Sequence, residues 1–170
     1  LRTGVVRGSE PPERVTITEN GRFFTVDVRQ GHKTGFYLDQ RANRQRVAEL
    51  AAGRDVLDCF CYTGGFTISA LAGEARSVLA VDASADALAQ AKEHVRLNHL
   101  DPAKVDFMEG DVFQVLRGLR DRRSAFDLII LDPPKFAQTA AQVERAARGY
   151  KDINLLAFKL LRPGGLLVTF

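Results

Sequence analysis

The chain has 170 residues, 45% hydrophobic and 26% charged, with a formal net charge of +3. That length supports one domain with a core of its own and is too short for two comfortable ones. No apolar run approaches the ~20 residues that span a bilayer, so no membrane partner is expected, and the mild basicity admits a polyanion partner without arguing for one.

Leu1 to Glu13 is polar, carries Gly4, Gly8 and Pro11-Pro12, and reads as a linker with no signal peptide. The chain opens on Leu and closes on an apolar strand at Phe170, so both ends read as fragment boundaries. Val15 to Glu19 and Phe23 to Val28 alternate polar and apolar residues around Asn20-Gly21, the strongest short hairpin signal. Residues 1–30 are therefore read as a linker plus an accessory β-hairpin, and residues 31–170 as the main domain.

Gly31 to Arg46 forms a glycine-bearing, basic and aromatic loop leading into a helix from about Asp39 to Ala52, stopped by Gly53. His32, Lys33, Arg41, Arg44 and Arg46 cluster there, either as a solvated helix face or as a lip over a ligand or a phosphate. From Asp55 onward strands and helices alternate. The strands are Val56–Phe60, Ser77–Asp82, Val105–Met108, Phe126–Asp132 and Leu166–Phe170. The helices are Gly65–Ala72, Ala85–Asn98, Val112–Arg120 and one around Gln138–Leu161, with Arg162 to Gly165 as a turn. This alternation predicts a doubly wound parallel sheet of the α/β class.

Ligands of such sheets bind outside the carboxyl ends of the strands. Four consecutive strand ends deliver an Asp: Asp58, Asp82, Asp111 and Asp132. Asp58 precedes the turn Tyr62-Thr63-Gly64-Gly65 and a helix N-terminus. Asp82 is placed to accept from both ribose hydroxyls, or alternatively to cap the next helix. Asp111 is placed to meet an adenine amino group, to cap its helix, or to do both. The turn is not the Gly-x-Gly-x-x-Gly that admits a pyrophosphate, and Asp58 would repel one while attracting an ammonium. The turn chemistry therefore favours S-adenosyl-L-methionine over a nicotinamide dinucleotide.

Asp132-Pro133-Pro134-Lys135-Phe136 is a stiff loop whose prolines donate no N–H. It suits a flat base turned out of its stack, with Asp132 bonding the base, Phe136 stacking on it and Lys135 reaching a phosphate. Its alternative is a rigid connector. Arg145, Arg148, Lys151 and Lys159 follow on a helix, facing either a phosphate backbone or solvent. Cys59 and Cys61 are read as lying on opposite faces of a strand with no disulfide, which points to a reducing, cytoplasmic compartment. Cys59 reads as core and Cys61 as packing at or near the cofactor pocket. With His32, His94 and His99 scattered, zinc spacing is absent and no metal is expected.

Gly31 to Arg41, Cys61 to Phe66, Asp132 to Phe136 and Arg148 to Asn154 together resemble the class I S-adenosylmethionine-dependent methyltransferases that make 5-methylcytosine in large-subunit ribosomal RNA. The resemblance implies a Rossmann-like methyltransferase fold whose last strands are missing here, preceded in the full protein by an RNA-binding PUA domain. It implies a cofactor pocket of Phe36, Asp39, Gln40, Arg41, the Asp58-to-Gly65 turn, Asp82 and Asp111, with Asp132 to Lys135 facing the cytosine. Ribosomal RNA is the implied partner, and a homodimer is left open. The family's nucleophilic cysteine follows the strand that here ends at Phe170. The 170 residues are therefore expected to bind cofactor without methylating RNA alone.

Overall fold

The computed structural model describes residue 5, residues 7–29 and residues 35–170. Gly31, His32, Lys33 and Thr34 of the basic loop lie outside the described residues. The hairpin forms as read: β1 (Val15–Glu19) pairs antiparallel with β2 (Arg22–Val26). Asn20 (φ 49°) and Gly21 (φ 75°) are both left-handed between them, as a tight two-residue hairpin turn requires.

A short 3-10 turn, Leu38–Gln40, leads into α1 (Arg41–Ala51). The alternating part is β3 (Asp55–Cys59), α2 (Gly65–Ala72), β4 (Ser77–Asp82), α3 (Ala85–Leu97), β5 (Val105–Glu109), α4 (Val112–Asp121), β6 (Phe126–Leu131), α5 (Val143–Leu160) and β7 (Leu161–Thr169). The five strands run in the order β5-β4-β3-β6-β7, each pair parallel. Strand order reverses between β3 and β6, which makes their carboxyl ends the topological switch point.

Both faces of the sheet are covered, which is why its central strands are continuously apolar. Val56, Val78, Leu128 and Ile130 pack with Val47, Phe66, Ile68, Val95 and the hairpin's Phe24 and Val26. Leu57, Val81, Ile129 and Leu131 pack on the other face with Val112, Leu116, Leu119, Ile153 and Leu160 of α4 and α5. The hairpin thus shares a core with the sheet domain.

Three details differ from the sequence reading. Arg162 to Gly165 is not a free turn but lies within β7, where the ladder slips between Phe126 and Leu128 and Gly164 takes φ 79°. A glycine in the left-handed region lets a strand bulge and resume pairing. Arg162 is held there by Asp127 at 2.8 Å and Asp55 at 2.9 Å, with Arg76 on the same two carboxylates, so β7 is clipped to the centre of the sheet at its amino end.

The second difference is the cysteines. Both are free and buried, but strand alternation does not separate them, because residues two apart on a strand share a face. The strand stops at Cys59 and Phe60 turns left-handed (φ 61°). Cys59 joins the α4/α5 side of the core, and Cys61 packs with Ala80 and Leu88.

The third is Arg44. It is neither a solvated residue nor part of a basic lip. It is 3% exposed, its guanidinium grips Glu19 of β1 at 2.6 and 2.8 Å, and it donates to the Tyr37 carbonyl at 2.8 Å. The charge is met by a paired carboxylate and a backbone carbonyl, as a buried arginine demands.

Candidate functional site

The carboxyl ends of β5, β4, β3 and β6 set Asp111, Asp82, Asp58 and Asp132 in a row across the switch point. Between them, Phe60 to Gly64 forms a tight turn. Phe60 (φ 61°) and Tyr62 (φ 49°) are non-glycine residues in the left-handed region, and Gly64 (φ 82°) caps α2. Such conformations persist where surrounding bonds over-determine them. Here the Cys61 N–H donates to the Val81 carbonyl (3.1 Å), the Gly64 N–H to the Cys61 carbonyl (2.8 Å) and the Tyr62 N–H to Asp82 Oδ2 (2.8 Å).

Gly64 is glycine for packing as well as for its φ. A Cβ there would lie 2.9 Å from the Ala91 Cβ of α3. At Gly65 a Cβ would meet the Arg44 side chain at 3.1 Å. At both positions it is a neighbouring element of the chain itself that comes close to the backbone.

Asp58 is fully buried. Its Oδ2 accepts from the Thr67 hydroxyl at 2.6 Å, while its Oδ1 is buried without a hydrogen-bond partner. Burial raises its pKa to about 7, the Thr67 bond pulls it down, and the nearby Asp132 and Asp82 charges push it up. A buried acceptor lacking a partner is what an added cation or donor would satisfy. In charge and in its open valence Asp58 suits an ammonium, and its side chain is 0% exposed.

Asp82 also braces the turn: besides Oδ2 on Tyr62, its Oδ1 accepts from the Ser84 N–H at 2.9 Å. Ser84, not Asp82, is the N-cap of α3. Asp111 is the N-cap of α4, accepting from the Gln114 N–H at 3.0 Å. Gln40 reaches the site from the 3-10 turn and donates to Asp132 Oδ1 at 3.3 Å. Asp39 and Arg41 are exposed beside it. Phe36 lies in the core, 6% exposed, against Phe24 and beneath the Arg44 guanidinium. Thr63 is buried, and the Tyr62 ring meets Tyr37 edge-on at 6.0 Å.

Pro133 is half-buried, and Pro134 and Lys135 are exposed. Phe136 does not present a free face for a base. It stacks on Tyr150 at 4.4 Å and also contacts Phe60 and Phe113. The Tyr150 hydroxyl bridges the loop, accepting from the Phe136 N–H at 3.2 Å and donating to the Pro134 carbonyl at 3.3 Å. Arg145, Arg148, Lys151 and Lys159 are exposed on α5, with Arg148 3.8 Å from Glu144.

Thr67, His94 and Tyr150 escaped assignment from sequence. Thr67 carries no local signal, because only the return of α2 beneath β3 brings it to Asp58. Tyr150 lies in a recognised motif, but its partner loop is 14 residues away and meets it only in the fold. From the sequence His94 reads as one of three scattered histidines. Its Nδ1 bonds the Thr63 carbonyl at 2.8 Å, and burial holds its pKa below the ordinary histidine value.

Comparison with known proteins identifies the family. A curated relative from Aeromonas hydrophila, named ribosomal RNA large subunit methyltransferase I, is 55% identical over 99% of this chain and 43% of its own length. The relative of that name from Erwinia tasmaniensis is 54% identical over 100% of this chain and 43% of its own. The chain thus spans well under half of the curated relatives it matches. A Streptococcus mutans structure assigned as an S-adenosylmethionine-dependent methyltransferase superposes with a TM-score of 0.86 at 32% identity, covering 96% of this chain and 43% of that one. The structure of SMU.776, assigned as a methyltransferase and complexed with S-adenosylhomocysteine, superposes equally well (TM-score 0.86, 33% identity) over 96% of this chain and 43% of its own. A family model described as S-adenosylmethionine-dependent methyltransferase matches residues 5–170, so this chain belongs to the S-adenosylmethionine-dependent methyltransferase family.

Proposed function

We propose that this chain is the cofactor-binding part of an enzyme that transfers the methyl group of S-adenosylmethionine to C5 of a cytosine in 23S ribosomal RNA. The observation that carries the cofactor assignment is the buried Asp58 oxygen without a partner, beneath a turn that lacks a pyrophosphate fingerprint. Its carboxylate would balance the cofactor's ammonium. Asp82 would serve the ribose and Asp111 the adenine, each also holding backbone N–H groups in place. Phe36, Asp39, Gln40 and Arg41 would flank the pocket. The names of the relatives support the RNA substrate.

The Asp132-Pro133-Pro134-Lys135 loop would face the base. Tyr150 and Gln40 fix its two ends, so the Asp132 carboxylate is held for hydrogen bonding rather than left to swing. Attack on the methyl group by C5 needs a thiolate added first at C6. Neither Cys59 nor Cys61 fills that role: both are buried and burial raises their pKa values well above the ordinary range. The resemblance puts the nucleophile after the segment ending at Phe170.

The test is methyl transfer by the full-length protein to unmodified large-subunit ribosomal RNA, followed by mass spectrometry of the nucleosides. 5-Methylcytidine is expected. A nitrogen-methylated base would replace this reading with one in which the Asp-Pro-Pro loop works without a nucleophile. Calorimetric titration of Asp82→Ala with S-adenosylhomocysteine is expected to show weaker binding, and unchanged affinity would contradict the ribose assignment.

A further inference from the structure

The β1–β2 hairpin carries no residue of the strand-end carboxylate row, yet its outer edge is bonded side chain by side chain to α3. Gln90, His94 and Asn98 recur every four residues, about 6 Å apart along a helix. Alternate residues of a strand are about 6.8 Å apart, so such a row can match a strand edge. Asn98 closes both backbone groups of Phe23, accepting from its N–H at 2.8 Å and donating to its carbonyl at 2.7 Å. Gln90 donates to the Thr25 carbonyl. His94 takes the Thr25 N–H on Nε2 at 3.0 Å. The helix thus stands in for a neighbouring strand and satisfies an edge that would otherwise be left open.

His94 differs from the other two, because its second nitrogen reaches the Thr63 carbonyl in the cofactor turn at 2.8 Å. Nε2 also lies 3.0 Å from the Thr25 hydroxyl, which can donate to it, and 3.2 Å from the Thr25 carbonyl, which already accepts from Gln90. One tautomer serves both the Thr63 carbonyl and the Thr25 N–H. A carbonyl can only accept, so Nδ1 carries the proton; a backbone N–H can only donate, so Nε2 is bare. A fully buried neutral imidazole therefore bridges β2 and the turn. A second tie lies on the other side of Gly64. Glu19 of β1 holds the Arg44 guanidinium, and the Arg44 Cδ lies 3.1 Å from the position a Cβ on Gly65 would take.

We infer that the hairpin is a positioning element for the cofactor turn, and that His94 is the positioning residue through which it sets the Thr63 carbonyl. This rests on the assignment of the turn to S-adenosylmethionine. Without the Nδ1 donor, a buried carbonyl next to two left-handed residues loses the bond that holds it, and the turn is free to relax. The Gln90 and Asn98 bonds serve docking alone.

The experiment is calorimetric titration of the full-length protein with S-adenosylhomocysteine, beside thermal melting. Three variants are compared: His94→Ala, His94→Asn and the double variant Gln90→Ala/Asn98→Ala. His94→Ala is expected to weaken binding about tenfold or more. His94→Asn, which keeps one donor and one acceptor, is expected to recover most of that loss. The double variant is expected to melt earlier but bind within about twofold of the wild type. If His94→Ala does not fold, His94→Leu, which keeps the volume, replaces it. Wild-type affinity in His94→Ala, an equal loss in the double variant, or no recovery in His94→Asn would overturn the inference. No binding by the wild type would instead remove the cofactor assignment beneath it.

Discussion

Replacing Asp58 by Asn tests the electrostatic core of the site. With its pKa raised to about 7 against about 3.9 in an unfolded chain, the folded protein holds a proton that the unfolded chain releases. The stabilising contribution is greatest below about pH 4, falls as the pH rises to about 7 and is constant above that. At pH 8 the ionised carboxylate costs up to about 4 kcal/mol, at 1.36 kcal/mol per pKa unit. Asn removes that cost but leaves an amide N–H₂ where Oδ1 has no partner, a penalty of about 1–3 kcal/mol. Asp58→Asn should thus be more stable than the wild type at pH 8 by about 1–3 kcal/mol and lose that advantage toward pH 4. Urea unfolding at several pH values measures this. Binding moves the other way. An ammonium prefers the ionised carboxylate, so wild-type affinity for S-adenosylhomocysteine should rise about tenfold per pH unit up to about pH 7 and level off. In Asp58→Asn it should be weaker at pH 8, by the about 1.5–3 kcal/mol of a charged hydrogen bond, and flat with pH over that range. Equal affinities at pH 8, or a wild-type curve without a break near pH 7, would refute the assignment of Asp58 to the ammonium.

Arg44→Met leaves Glu19 buried and unpaired, so it should cost about 3–5 kcal/mol in chemical unfolding, whereas Arg44→Met with Glu19→Leu should recover much of that. A solvated Arg44 would show almost no effect in either variant. Tyr150→Phe removes the hydroxyl that bridges Pro134 and Phe136 while keeping the stack on Phe136. In the full-length protein it should lower methyl transfer to RNA about tenfold or more and leave cofactor affinity unchanged. Loss of cofactor affinity instead would place the Asp-Pro-Pro loop in the cofactor pocket rather than at the base.

Much of this protein is written locally. The hairpin follows from Asn20-Gly21, because few residue pairs tolerate two left-handed conformations in succession. The parallel sheet follows from apolar strands alternating with amphipathic helices, and the strand-end carboxylates follow from the strands. Helix caps such as Ser84 and Asp111 are equally local, since the bonded N–H lies three residues away. What the chain does not write locally is which way a polar side chain turns once distant segments meet. Arg44 looks like its basic neighbours until Glu19, 25 residues earlier, is folded against it. Phe136 looks available to a base until Tyr150 stacks on it. His94 looks incidental until α3 lies along β2, 69 residues earlier, and beside the Phe60–Gly64 turn. The open oxygen of Asp58 likewise exists only because the turn and α2 close over β3. The sequence by itself determined the scaffold and the row of carboxylates, because both depend on short-range periodicity and turn chemistry. Tertiary structure alone decided their partners, their protonation and their burial, because these depend on the neighbours that long-range packing supplies.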